Sequence, residues 1–195
     1  MEKIEMKKPS VFGILIAAVI YVLLFVLGAA SGAIHPACFA YAGAVLPFLF
    51  SFIYLYTAAN LQHYGAAVIL NGFVLIIGVI MGEGNPPLII GMLLLALITE
   101  VVRGINGYDT LKGVRQSFIP FAFSFFAYTA HWWTDTETYL EEANEVMPAG
   151  YAEKMLSVIE NKPVMILVLV LTIPAAILGM RFAEKVLKNQ AASLI

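Results

Sequence analysis

Six apolar runs, each close to the length of a bilayer core, dominate this chain of 195 residues. They are Val11–Ala30, Ala37–Ala59, Ala66–Met81, Leu88–Val102, Val114–Ala130 and Pro163–Phe182. A helix needs about 20 apolar residues to cross a hydrocarbon core of about 30 Å. Backbone groups in lipid must be satisfied within their own segment, so runs of this kind are helices. Pro47 and Pro174 fall inside two of them and are expected to kink or locally unwind the chain. The fourth run is short and flanked by glycine, which favours a tilted helix or one that starts inside the protein. Composition agrees: 61% of residues are hydrophobic and 12% charged, about half the charged fraction of a soluble domain, with a mean hydropathy of +0.88. The expected fold class is an all-α integral membrane protein of six transmembrane helices, a single polytopic domain over residues 1–195 in the plasma membrane.

The charges are few but unevenly placed. With six spans and the N-terminus inside, the cytoplasmic pieces hold Lys3, Lys7, Lys8, Arg103, Lys112, Arg115, Arg181, Lys185 and Lys188, and the outer pieces only Lys154 and Lys162. This bias puts both termini in the cytoplasm. Lys3, Lys7 and Lys8 before an apolar stretch, with Ala29-Ala30-Ser31 beyond it, also resemble a secretory leader. The stretch is longer than a leader's apolar core, and a retained first helix is expected. The outer loop at 131–162 carries Asp135, Glu137, Glu141, Glu142, Glu145, Glu153 and Glu160. Within it Leu140, Ala143, Val146 and Met147 recur at helical spacing, as do Met155, Val158 and Ile159, with Pro148-Ala149-Gly150 between. Two short amphipathic helices are expected there, capping the outer face. Cys38, the lone cysteine, allows no intramolecular disulfide.

No catalytic pattern is present. There is no H-E-x-x-H, no G-x-S-x-G and no Walker A loop, and the spans hold too few polar residues for intramembrane hydrolysis, so an enzyme is not expected. Nor is a nucleic acid expected as a partner. Polar residues gather instead at the outer helix ends: His35 after the first run, Glu83-Gly84-Asn85 between the third and fourth, and His131-Trp132-Trp133-Thr134-Asp135 after the fifth. Glycine and proline keep the Glu83 loop compact. Trp132 and Trp133 offer faces for stacking, with His131 and Asp135 able to fix a ligand's polar edge; tryptophans at such positions also serve as interfacial anchors. His35 fits either a helix cap or a ligand contact. His35, Glu83, His131 and Asp135 are metal-ligand types without metal-ligand spacing, and no metal is expected. On the first helix Gly13 and Ala17 form a small-xxx-small pair that suits close helix approach. Glu100 and Arg103, spaced i, i+3, are expected to pair with each other or to snorkel to the interface.

The stretches GILIAAVIYVLLFVLG, MGEGNPPLIIGMLLLALITEVVRGINGYDTLKG and PVMILVLVLTIPAAILGMRFAEKVLKN, together with six helices and a long loop before the last, resemble the S component of an energy-coupling factor (ECF) transporter, in its MptD/Trep_Strep-like branch. The likeness spans essentially the whole chain and rests on order and spacing. It implies a protein that captures a small micronutrient outside and delivers it inward with a membrane T component and two cytoplasmic ATPases, which would use the ATP. Gly13 and Ala17 match the small-residue surface that meets the T component, although the usual first alanine is glycine here. His35, Glu83, Asn85, His131, Trp132, Trp133 and Asp135 fall on the matching ligand and gating loops. Aromatic rings with two histidines would suit a flat, partly apolar cargo such as haem. Two other readings stand beside this one: a membrane assembly or interaction subunit with an acidic outer cap, and a self-contained transporter, which the scarcity of charge at mid-membrane depth disfavours.

Overall fold

The computed structural model describes residues 10–192, with side chains to Leu187. Lys3, Lys7 and Lys8, on which the orientation reading partly rests, lie outside the described residues, as does the side chain of Lys188. The regular structure in this range is helical: α1 (Val11–Ala30), α2 (Pro36–Tyr41), α3 (Leu46–Asn60), α4 (Ala66–Ile80), α5 (Pro86–Asn106), α6 (Leu111–Phe121), α7 (Ser124–Thr129), α8 (His131–Thr134), α9 (Thr136–Val146), α10 (Tyr151–Glu160) and α11 (Lys162–Ala192).

Helix starts follow local chemistry. Ser10, Asn85 and Thr110 each accept a backbone N–H from the first turn of the helix they open, from Gly13 at 3.1 Å, Leu88 at 2.9 Å and Gly113 at 2.9 Å. Such caps satisfy donors that have no intrahelical partner. Pro86 follows Asn85 at the first turn of α5, where its missing N–H removes no helical bond. Gly150 takes a left-handed φ of 82° and turns the chain from α9 into α10, the two cap helices.

Among the described residues three helices are long and apolar enough to cross a membrane alone: α1 with its terminal turn, α5 and α11. A fourth crossing follows if α2 and α3, bent by 45°, are one broken span. Here the run Ala37–Ala59 departs from a single kinked helix. It ends at the tight turn Ala42–Ala44 and restarts at Leu46, with Pro47 in the first turn of α3. Pro47 thus starts a helix, the position where proline is tolerated. The run Val114–Ala130 is also divided, into α6 and α7, just after Pro120. By contrast α11 passes through Pro174 unbroken. The fourth run is not short, because α5 extends to 21 residues. The 15 residues of α4 rise about 22 Å, less than a full hydrocarbon thickness.

Helix pairs meet where side chains are small or aromatic. Between α1, α3, α6 and α7 lies a ring-packed core: Tyr21 and Phe50 are 4.7 Å apart, Phe25 stacks on Phe50 at 5.3 Å, and Tyr54 meets Phe121 at 4.6 Å. Lipid is as apolar as these rings, so shape and buried hydrogen bonds must supply the association. Tyr21 Oη donates to Asn71 Oδ1 at 3.2 Å, Asn71 Nδ2 donates to the Met92 carbonyl at 3.3 Å, and Tyr54 and Ser117 share a bond of 2.7 Å. These bonds join α1 to α4, α4 to α5 and α3 to α6.

At the end away from the cap, Glu100 and Arg103 do something other than pair or snorkel. Both are buried. Glu100 Oε1 accepts the Ala67 N–H at 2.7 Å, at the amino end of α4. Arg103 Nη2 donates to the carbonyls of Ala58, Leu61 and Tyr108. The first two belong to the last turn of α3. Each charge thus sits on the helix end of opposite partial charge, and α5 clasps the α3–α4 turn.

Candidate functional site

A groove of about 250 Å³ opens between α1 and α4 at the end where the cap lies, floored by Phe25, Val74, Leu88 and Tyr128, with Gly78 in its wall and Glu83 at its rim. The sequence builds it from small and ring residues. Ala29 and Ala30 near the end of α1, and Gly78 near the end of α4, keep the two helices' side chains from closing it. A methyl group added at Gly78 would touch the Leu88 side chain at 3.4 Å, an ordinary contact, so the space there is real. Tyr128 leans in from α7, edge-on to Phe25 at 6.2 Å and to Phe39 at 5.9 Å. The Glu83 loop is drawn tight by Asn85, whose Nδ2 donates to the Glu83 carbonyl at 3.2 Å while its Oδ1 caps α5.

Beside the groove is a second, drier cluster. His131 is buried, its Nδ1 2.8 Å from the Tyr128 carbonyl, and its ring lies 4.2 Å from that of Tyr139. A carbonyl only accepts, so Nδ1 carries the proton and Nε2 is the free acceptor. Burial pushes the His131 pKa down to about 4, against the pull of that carbonyl, and the ring is neutral at ordinary pH. Trp132 is buried against Phe39 and Tyr139, at 6.5 and 5.9 Å. Among the described residues neither Trp132 nor Trp133 finds an acceptor for its buried indole N–H. Burial, together with the Glu142, Asp135 and Glu83 carboxylates, raises the Tyr139 phenol above its ordinary range, while the Asn85 side chain favours the ionised form.

The seven outer residues singled out from the sequence therefore separate into three positions. Glu83 and Asn85 stand near the His131–Trp132 cluster, close enough for both to act on the Tyr139 phenol. Asp135 is exposed at the α8–α9 junction, where its Oδ1 accepts from Thr138 Oγ1 at 2.8 Å. His35 caps α2, accepting the Ala37 N–H at 3.1 Å. Trp132 is packed on rings of its own chain, and neither tryptophan lines the groove. Among the described residues no three of His, Cys, Asp and Glu converge as metal ligands would. No histidine is among the residues that line the groove.

Gly13 and Ala17 face inward. A methyl group on Gly13 would lie 2.2 Å from the Tyr56 hydroxyl of α3, and Ala17 is buried. The small size of Gly13 serves the contact of α1 with α3. Tyr128 and Tyr139 were not singled out from the sequence, although Tyr128 stands three residues before His131, one helical turn away. The α1 and α4 walls of the groove carry no polar signal at all.

A family model described as a hypothetical bacterial integral membrane protein, Trep_Strep, matches residues 10–192. No curated protein matches the chain, and no solved structure does.

Proposed function

The chain belongs to the Trep_Strep family of bacterial integral membrane proteins, and from that premise we propose that it is the substrate-binding S component of an ECF-type importer. In this reading six passes place both termini in the cytoplasm and the cap outside. A small micronutrient enters the groove between α1 and α4. A T component and two ATPase subunits then drive its delivery, and ATP is hydrolysed by those partners rather than here. The observation that carries the reading is the groove itself. It lies at the cap end, is apolar inside, and has a compact loop with a carboxylate at its rim. Since Gly13 is engaged by α3 and Ala17 is buried, docking of the T component would use the exposed flank of α1 at Leu15, Ile16 and Val19.

Affinity purification of tagged chain from its native membranes tests this. The expected result is a complex containing one further membrane subunit and ATP-hydrolysing subunits. Recovery of the chain without any ATPase, from membranes solubilised mildly enough to preserve a known ABC complex, would defeat it.

A second reading, an interaction subunit, draws on the exposed acidic row Glu137, Glu141, Glu142 and Glu145 of α9. It predicts that replacing those four glutamates by glutamine abolishes association with a protein partner, and that the groove binds no small molecule. The importer reading predicts the reverse dependence, on the groove.

A further inference from the structure

We propose that the α1–α4 groove takes a small organic cation, an amine or quaternary ammonium with an apolar body; this rests on the groove being the capture site of the importer reading. Four observations converge on that chemistry. First, among the described residues Glu83 is the one charged residue that lines the groove, and no lysine, arginine or histidine lines it. A carboxylate without a basic neighbour attracts a cation and repels an anion. Second, the rings of Phe25 and Tyr128 line the same space, and aromatic faces bind alkylammonium groups through the ring quadrupole.

Third, the rest of the lining is aliphatic, with Val22, Val26, Val74 and Ile77 among it. An inorganic cation would need several oxygen ligands, and one carboxylate with one phenol does not supply them. The bound molecule must therefore bring apolar surface of its own. Fourth, the cap beside the mouth adds charge of the same sign. Asp135, Glu137, Glu141, Glu142 and Glu145 stand on α8–α9, against Lys154 and Lys162 in the whole 131–162 segment. A field of one sign over a low-dielectric cleft concentrates counter-charged solutes. Size sets the last bound: about 250 Å³ falls below the roughly 300–1,000 Å³ of drug-sized sites.

The test uses three probes of nearly equal shape on the full chain purified in maltoside detergent, which is itself uncharged. They are benzyltrimethylammonium, its neutral carbon analogue neopentylbenzene, and the anion 3-phenylpropionate, each titrated calorimetrically. The expected result is saturable one-to-one binding of the ammonium, at least tenfold tighter than the neutral analogue, with no binding of the anion. In Glu83→Gln the ammonium should lose at least tenfold in affinity and fall level with the neutral analogue. This side chain is exposed, so the variant should fold. Gly78→Phe, which fills the groove, should abolish binding of both. Equal binding of all three probes, preference for the anion, an unchanged affinity in Glu83→Gln, or no binding of any probe would overturn the proposal. These outcomes are separable from the importer reading, because recovery of an ATPase complex does not depend on which probe binds.

Discussion

His131 shows how one residue can be conspicuous in a sequence for one reason and matter for another. It stands where the fifth apolar run meets the acidic cap, and that position suggested a ligand contact. In the fold it is a buried, neutral ring that donates from Nδ1 to the Tyr128 carbonyl and packs on Tyr139. Its pKa is about 4 when folded, against an ordinary 6.5, so the unfolded chain binds the proton more readily. Stability is then intact above pH 6.5 and is lost as pH falls from 6.5 towards 4, by roughly 3 kcal/mol at most. Melting temperatures of wild type and His131→Phe between pH 7.5 and 4.5 should diverge, the wild type falling more steeply; parallel curves would refute this assignment. Glu100 and Arg103 were equally visible, and their spacing suggested a mutual pair. Apart from the Tyr108 carbonyl, their partners lie at the α3–α4 turn, which no local spacing reports. Arg103→Met should leave Glu100 buried beside three unpaired carbonyls, a loss of about 3–5 kcal/mol. Adding Glu100→Met should recover part of it, as read by thermal unfolding in detergent.

At the scale of elements the sequence was most legible where hydrophobicity changes abruptly. The run Val11–Ala30 coincides with α1, and the stretch Pro148-Ala149-Gly150 separates α9 from α10, because period and turn chemistry are local properties. Breaks inside an apolar run were much less legible. Pro47 starts α3, Pro120 precedes the α6–α7 break, and Pro174 sits in a continuous helix. Three prolines in similar runs have three outcomes, since neighbouring helices decide whether a lost hydrogen bond ends a helix. Close helix approach was likewise hidden. A methyl group at Gly179 of α11 would lie 2.7 Å from Phe48 Cα of α3, a backbone atom that cannot swing aside. Gly72, on α4, has nothing within 4 Å. Gly179→Ala should therefore destabilise by about 1–3 kcal/mol through overpacking. Gly72→Ala should be neutral or stabilising by up to about 1 kcal/mol from helix propensity alone. Equal melting temperatures for the two variants would contradict this packing.

For the whole molecule, what hydropathy leaves open is the number of crossings, and the reason is physical. Among the described residues three helices are long and apolar enough to cross, but α2–α3 is bent, and α4 is shorter than a bilayer core. Two arrangements of the same helices differ in one respect. If α2–α3 crosses, the α3–α4 turn at His63 lies opposite the cap; if it is re-entrant, His63 lies on the cap side. Internal contacts favour a crossing. Arg103 at the far end of α5 caps α3, Gly13 at the start of α1 meets Tyr56 near the end of α3, and Tyr41 of α2 donates to the Val158 carbonyl of α10 at 3.2 Å. One end of the bent pair is thus tied to the cap and the other to the opposite end of the bundle. The importer reading puts the cap outside, in keeping with the bias of lysine and arginine towards the other side in the sequence. In a Cys38→Ser background, Glu141→Cys on α9 should react with a membrane-impermeant maleimide in intact cells, and His63→Cys only after lysis. Both positions are exposed on the protein, so a failure to label reports the membrane rather than burial. Labelling of His63→Cys from outside would make α2–α3 re-entrant. Labelling of His63→Cys but not Glu141→Cys would invert the molecule and put the groove on the cytoplasmic side, where it could not capture a solute from outside.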